Sequence, residues 1–226
     1  MARPLEYEPD IVLNRAMQVF WRKGFESTSL DDLCDATGLG RSSLYAAFGS
    51  KQAMYLRALA RYEDAAISRI ESALAGPAPI ASALREFLTQ MIEDIVAGPG
   101  RRGCLIGNCA AEAARQNRGV SSRVRRSLGR IEAAFRHGLT RARARGEIAA
   151  DADVTALARF LTASIQGLRL IGKAQADRAT LNDIAQVMLR IVCPPHAGMF
   201  AMARAPDPAT PFTPSRNRSP EKRNPS

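Results

Sequence analysis

Two short amphipathic segments, separated by a three-residue glycine turn, constrain the fold of this chain more than any other feature. The first, SLDDLCDAT, opens with Ser29, which can cap a helix, and an aspartate three residues later can return the hydrogen bond. Gly38 ends this helix, and after G-L-G a second helix begins with Leu44 and Phe48 turned inward. Because an amphipathic helix over 9–24 precedes them, the three segments predict a helix-turn-helix unit.

The rest of the chain is expected to be helical as well. It shows no sustained alternation of β-branched and polar residues, and Gly- and Pro-rich breaks, GPGRRG at 98–103 among them, divide it into helix-length segments. The expected helices are 51–74, 80–96, 104–116, 121–145, 153–174 and 178–192. We therefore expect an all-α protein of about nine helices, with a three-helix unit over 1–50 and a larger helical domain over 51–193.

The composition changes after this domain. Residues 194–226 hold eight of the 13 prolines, show no helical periodicity and end in several basic residues. This pattern predicts a disordered, Pro-rich basic tail.

Composition also limits the class of protein. A hydrophobic fraction of 46% with 24% charged residues is ordinary for a globular chain, and no apolar run approaches the roughly 18 residues of a membrane span. The N-terminus resembles no signal segment, so we expect a cytoplasmic protein with reduced cysteines and no membrane partner. No metal and no cofactor are expected, because His137 and His196 lie far apart without converging cysteines or carboxylates.

The net charge of +10 is unevenly placed along the chain. Residues 1–51 carry six Arg and Lys against seven Asp and Glu, whereas 101–145 holds twelve arginines and two glutamates. Any DNA contact in the helix-turn-helix unit must therefore depend on individual side chains and not on bulk charge. Within the basic segment a solvated helix face is expected from Arg123, Arg125, Arg126 and Arg130.

The second helix of the unit carries side chains suited to DNA. Ser42 and Ser43 are small enough for close approach to the major groove, and Arg41 can reach a guanine edge or a phosphate. Tyr45 would point towards the DNA backbone. Lys51 begins the next helix, where its ammonium group and the exposed N–H groups suit a phosphate oxygen.

The run GFESTSLDDLCDATGLGRSSLYAAFGSKQAMYLRAL, residues 24–59, resembles the DNA-binding segment of the tetracycline-repressor (TetR) family of bacterial transcription regulators. The matching positions are Gly24-Phe25, Thr28-Ser29, Gly38-Leu39, Leu44-Tyr45, Phe48 and Ser50-Lys51. Two positions depart from the pattern. Gly40 stands where the family usually has a capping serine or proline, and Ala47 stands where a histidine is common. The resemblance implies phosphate contacts from Thr28, Tyr45 and Lys51, and base or backbone contacts from Arg41, Ser42 and Ser43. The candidate DNA-binding set is thus Thr28, Ser29, Arg41, Ser42, Ser43, Tyr45 and Lys51.

The same resemblance implies a function. Residues 51–193 would form a ligand-binding and dimerisation domain whose last two long helices pair with those of a second subunit. The homodimer would bind a palindromic double-stranded operator and act as a repressor. An unknown small-molecule effector, or an electrophile or oxidant, would relieve repression by changing the spacing of the recognition helices.

The stretch RRGCLIGNCAAE leaves several functions open for its first cysteine. Cys104 is expected in the first turn of a helix, where helix N–H groups and the arginines at 101 and 102 favour a thiolate. The G-C-L run resembles a TetR subgroup whose cysteine responds to electrophiles or oxidants, which makes Cys104 a candidate sensor. A buried structural cysteine is the alternative. Two other functions stay open: a thiol-dependent enzyme using Cys104, although no enzymatic activity is expected, and an arginine-rich helical protein binding RNA or membrane surfaces.

Overall fold

The computed structural model describes residues 7–112 and 118–194 of the chain. These residues hold nine α-helices and no strand, which confirms the predicted all-α class. The helices are α1 Pro9–Lys23, α2 Leu30–Thr37, α3 Arg41–Phe48, α4 Lys51–Ala75, α5 Ile80–Val96, α6 Leu105–Glu112, α7 Arg118–Ala144, α8 Val154–Ala174 and α9 Arg178–Val192, with a 3₁₀ turn at Pro99–Arg102. The basic tail lies outside the described residues, so its disorder stays a prediction.

Local sequence signals set the ends of the short helices. The hydroxyl of Ser29 accepts the N–H of Asp32 at 3.0 Å, and the Asp32 carboxylate accepts the N–H of Ser29 at 3.0 Å, which completes the expected capping box. Gly38 ends α2 in the left-handed conformation with φ of 77°. The tight turn between α2 and α3 therefore follows directly from the sequence.

Several helix boundaries differ from the expected ones by one to three residues. The helix expected from 104 begins one residue later, because Cys104 is the residue whose carbonyl accepts the first helical N–H, from Asn108 at 2.8 Å. Helix α7 begins at Arg118, three residues before the expected start. The segment GPGRRG, expected as a loop, contains the 3₁₀ turn. A side chain at Gly100 would place its Cβ 2.8 Å from the backbone nitrogen of Ile95, so glycine allows this turn to fold back on α5.

Helix α4 belongs to both parts of the fold. Its first half packs against α1 and α3, where Phe20 contacts Tyr55 with ring centroids 5.0 Å apart. Its second half packs against α7, and α8 and α9 complete the bundle around α5 and α7. The three-helix unit and the larger bundle are therefore joined by one continuous helix.

A buried carboxylate fixes α4 to α7. Glu63 is fully buried and accepts hydrogen bonds from Arg123, from the Ser127 hydroxyl at 2.7 Å and from Arg130 at 2.5 Å. The expectation that Arg123 belongs to a solvated face is wrong, because its side chain is only 20% exposed and pairs with the buried glutamate. Arg130 is exposed as expected, although it also donates to Glu63. Arg125 and Arg126 are exposed as expected.

Within the described residues, no helix combines the length and apolar character needed to cross a membrane.

Candidate nucleic-acid interface

Helix α3 presents a face of small and basic side chains. Leu44 and Phe48 are buried against the unit's core, whereas Arg41, Ser42, Ser43 and Tyr45 are exposed. Gly40 precedes the helix and provides no side-chain cap, so the N–H groups of the first turn face outward without a side-chain acceptor. The beginning of α3 thus offers hydroxyls, a guanidinium group and backbone donors together.

Arg41 is held by α2. Its guanidinium group makes three hydrogen bonds to the Asp31 carboxylate, at 2.7, 2.8 and 3.1 Å, and these bonds raise its pKa. Both side chains are more than half exposed, so the pair contributes little net stability and can exchange for another acceptor at small cost. Asp31 therefore positions Arg41 without burying it.

The two candidate hydroxyl residues of the α1–α2 turn, Thr28 and Ser29, differ in their placement from those of α3. Thr28 is only 1% exposed, and its hydroxyl donates to the carbonyl of Gly24 at 2.5 Å. The Ser29 hydroxyl is the helix cap described above. Both side chains hold the turn in shape, and their contacts to DNA stay a prediction.

Lys51 lies beside the same turn. Its ammonium group is 4.6 Å from the centre of the Phe25 ring and 3.4 Å from the Glu26 carbonyl, and Ser50 caps α4 by accepting the N–H of Ala53. A cation at a capped helix N-terminus is a suitable partner for phosphate. The structure thus places Lys51 against Phe25 and Glu26, which precede Thr28 in the same turn.

A second ion pair braces the turn. Lys23 donates to Asp32 at 2.6 Å, and this bond, together with those from Ser29, lowers the pKa of Asp32 to about 2. Asp32 is therefore ionised at physiological pH and completes both the capping box and the contact to α1.

A carboxylate from the larger bundle also contacts the turn, which local sequence patterns do not predict. Glu112, the last residue of α6, accepts the N–H of Phe25 at 3.1 Å and the N–H of Glu26 at 2.9 Å. Gly24 has φ of 82°, and a Cβ there would lie 2.5 Å from a Glu112 oxygen. The sequence shows the glycine that ends α1. It does not show Glu112 as the neighbour of that glycine, because the two residues are more than 80 positions apart in the chain.

Trp21 makes a further link between α1 and the bundle. Its indole N–H donates to the carbonyl of Gly103 at 3.2 Å, and its ring packs edge-on against Tyr62 with centroids 4.9 Å apart. The guanidinium of Arg102 lies 4.2 Å from the ring centre and donates to Gln18. The segment around the 3₁₀ turn and α6 therefore holds α1 at several points.

The candidate sensor lies in this link and not on the DNA-facing helix. Cys104 is 6% exposed and lines a cavity of about 590 Å³ between α1, α6 and α8. Arg102 contacts the Trp21 ring and donates to Gln18, and its influence on the thiol of Cys104 stays a prediction. Cys109 is fully buried beside Tyr55, and burial raises its pKa.

All four cysteines are free thiols. Across 7–112 and 118–194, no three His, Cys, Asp or Glu side chains are grouped so as to hold a metal ion.

Comparisons with known proteins agree with this architecture. Residues 12–58 match the family model described as bacterial regulatory proteins of the tetR family, and residues 81–188 match the tetracyclin repressor-like C-terminal domain. The chain is 33% identical over 193 residues to the uncharacterized HTH-type transcriptional regulator YezE of Bacillus subtilis, covering 85% of this chain and 100% of that protein. It is 30% identical over 190 residues to the HTH-type transcriptional repressor ComR of Escherichia coli, covering 84% and 90%.

Among solved structures, a cysteine mutant of the TetR family regulator CifR, complexed with 26 bp double-strand operator DNA, is similar to this chain. The TM-score is 0.75 with 31% identity, over 84% of this chain and 98% of that one.

Proposed function

This chain belongs to the TetR family of bacterial transcription regulators, and from that premise we propose that it is a ligand-responsive repressor that binds a palindromic operator as a homodimer. It acts in the cytoplasm on double-stranded DNA and performs no enzymatic reaction. A small molecule, an electrophile or an oxidant releases it from the operator.

The exposed face of α3 is the observation that carries the proposal. Arg41, Ser42 and Ser43 lie in the first turn of an uncapped helix whose opposite face is buried, which is the geometry by which a recognition helix enters the major groove. ComR is named a transcriptional repressor, and the similar CifR structure holds operator DNA, so both relatives support this proposal.

A partly exposed apolar surface on α8 and α9 supports the homodimer. On α8 it comprises Ala156, Phe160, Ala163, Gly167, Leu170 and Ala174, and on α9 it comprises Ile184, Val187 and Ile191. Leu170 is 67% exposed, Val187 52% and Ile191 47%, whereas the opposite sides of both helices are buried. A Cβ at Gly167 would meet nothing within 4 Å, so a second helix can approach closely there. Two copies of this surface form an isologous interface.

Release from the operator requires an effector that binds one arrangement of the dimer better than the other. The contacts of Trp21 and Glu112 connect the core to α1 and to the α1–α2 turn, so a change in α6 reaches the DNA-binding unit directly. Cys104 lies at the start of α6 and is the candidate point at which an electrophile or oxidant acts. A Cys104→Ser protein that still releases DNA normally under hypochlorite or a quinone would exclude that role.

Selection of bound DNA from a random pool tests the function itself. We expect enrichment of one palindromic sequence, and we expect Arg41→Ala to weaken binding to it by about tenfold or more, because a good bidentate base contact contributes about 1–3 kcal/mol. Arg85→Ala, which removes an exposed arginine of α5, should bind as the wild type does. Failure to enrich any sequence would overturn the proposal.

A further inference from the structure

The cavity between the DNA-binding unit and the bundle, here called the junction cleft, has the size of a small-molecule site. It measures about 590 Å³ and is lined by residues that include Trp21 and Arg22 of α1, Asn108 of α6, and Leu170 and Lys173 of α8. Small-molecule sites are commonly about 300–1,000 Å³. A space within the bundle core, between Tyr62, Phe87 and Phe135, measures only about 30 Å³, roughly room for one water. Of these two spaces only the junction cleft has room for a ligand; a more open surface pocket of about 490 Å³ lies between α4 and α7, beside Leu74 and His137.

The charges of the junction cleft favour an anion. Arg22 makes its hydrogen bond to a carbonyl of its own helix, that of Gln18, and Lys173 donates to the side-chain oxygen of Asn108 at 3.2 Å. Both acceptors are neutral groups, so these hydrogen bonds do not neutralise the positive charges of Arg22 and Lys173. Arg22 also lies close enough to Arg102 to repel it, and burial together with that repulsion lowers the pKa of Arg102. A negative group would be attracted by the positive charges of Arg22 and Lys173.

The one carboxylate that lines the junction cleft is already engaged. Glu112 accepts the backbone N–H groups of Phe25 and Glu26, which satisfy its two oxygens. It therefore fixes the turn and does not pair with Lys173 or Arg22.

Part of the cleft wall is apolar. Phe20, Trp21, Leu105 and Leu170 contribute it, beside polar groups such as Gln166. An apolar body lying against Trp21 and Leu105 would remove apolar surface from water, while its charged end meets Lys173. A fully polar ion such as sulfate would leave this apolar wall unused.

We propose that the junction cleft binds a small organic carboxylate with an apolar body, and that its binding weakens the hold of Glu112 on the α1–α2 turn and so lowers operator affinity. The claim that a carboxylate binds depends on the cleft alone. The claim that binding lowers operator affinity rests on the proposed repressor function. Two carboxylates in one cleft repel each other, so the bound anion disfavours the position of Glu112 beside Phe25 and Glu26. The DNA-binding unit then loses a contact that fixes its orientation on the bundle.

Binding is tested with three carboxylates, each against its neutral primary amide: cyclohexanecarboxylate, octanoate and 2-naphthoate. Calorimetry on the full chain measures affinity, and fluorescence reports location, because Trp21 is the chain's single tryptophan and lines the cleft. We expect at least one carboxylate to bind saturably, to change the fluorescence, and to bind about tenfold or more tightly than its amide. Lys173→Gln should weaken it by a similar factor, while Arg85→Gln should leave it unchanged. No saturable binding of any carboxylate, equal binding of the amide, or wild-type affinity in Lys173→Gln would each overturn the proposal.

The regulatory part is measured on the operator obtained by DNA selection. The carboxylate should lower the operator affinity of the wild type by about tenfold and have little effect on Lys173→Gln. Glu112→Gln without ligand should show part of the same loss. Carboxylate binding without any change in operator affinity overturns the regulatory part. A ligand-free protein that selects no DNA overturns the repressor function instead, and calorimetry still decides whether the cleft binds the anion.

Discussion

At the scale of single residues, Gly24 shows a local requirement set by a distant side chain. Its backbone, with φ of 82° and ψ of 174°, lies in a region used almost only by glycine, and the carboxylate of Glu112 occupies the space where a Cβ would be. The sequence shows the glycine as the end of α1. It does not show why the position also excludes a side chain.

Replacing this glycine should therefore carry two separable costs. We expect Gly24→Ala to lower the free energy of unfolding by about 1–3 kcal/mol from backbone strain, with a further cost from the clash with Glu112. In a Glu112→Ala background the clash disappears, so the same substitution should be less destabilising. Denaturant unfolding of the four proteins of this double-mutant cycle measures the difference.

The matched control is Gly129→Ala in α7, where a Cβ meets nothing within 4 Å and the backbone is helical. That change should stabilise the protein by about 0.5–1 kcal/mol. An equal penalty for Gly24→Ala in both backgrounds would contradict the placement of Glu112 against the glycine.

Asp32 predicts a pH dependence. Its pKa in the folded protein is lowered from 3.8 to about 2, first by the hydrogen bond from Lys23 and then by those from Ser29. A depressed folded pKa stabilises the protein above the unfolded pKa, and that stabilisation is lost as the pH falls through the folded value. Asp32→Asn should therefore lower the melting temperature at neutral pH, and the difference from wild type should shrink between about pH 4 and pH 2.

Thermal unfolding followed by circular dichroism over that pH range makes the comparison, with Asp35→Asn, an exposed aspartate of the same helix, as the control. A difference between wild type and Asp32→Asn that stays constant down to pH 2 would argue against the ion pair with Lys23.

At the scale of elements, the sequence predicted the helix ends and buried positions that depend on residues close together in the chain. The cap at Ser29, the stop at Gly38 and the inward Leu44 depend on neighbours within a few residues, and all are found in the structure. The side chains that join elements were not predicted. Glu63 pairs with Arg123 and Arg130 across 60 and 67 residues, and Glu112 bonds to the α1–α2 turn across more than 80. No periodicity within one helix carries information about such partners.

The apolar surface of α8 and α9 gives a test at the same scale. Val187→Asp places a carboxylate in the proposed interface, where it would be desolvated without a partner, at a cost of about 3–5 kcal/mol. We expect the dimer dissociation constant to rise by about a hundredfold or more, measured by sedimentation equilibrium. The next residue gives the control, because Gln186 is exposed on another side of α9.

Gln186→Asp should leave the dimer intact. Dimers of unchanged stability in Val187→Asp would show that the surface of α8 and α9 is not where two copies meet.

At the scale of the whole molecule, the DNA-binding unit is tied to the bundle by contacts spread along its length. Helix α4 runs unbroken from Lys51 to Ala75, Trp21 bonds to Gly103, and Glu112 bonds to the α1–α2 turn. A unit held by one flexible linker could reorient freely, whereas this one has several fixed contacts. In a dimer built on α8 and α9, the distance and angle between the two recognition helices should therefore be narrowly set.

Operator spacing tests that rigidity directly. Inserting about five base pairs between the half-sites turns one of them by about half a helical turn and moves it by about 17 Å, so both α3 helices can no longer enter the major groove together. We expect the affinity to fall by at least about a hundredfold, towards non-specific binding, in an electrophoretic mobility shift or fluorescence anisotropy assay at fixed salt concentration. The same insertion outside both half-sites keeps length and charge constant and should have no effect. If the protein tolerates the central insertion, the contacts at Trp21 and Glu112 do not fix the DNA-binding unit. In that case Glu112→Ala should bind the original operator and the operator with the central insertion as the wild type does.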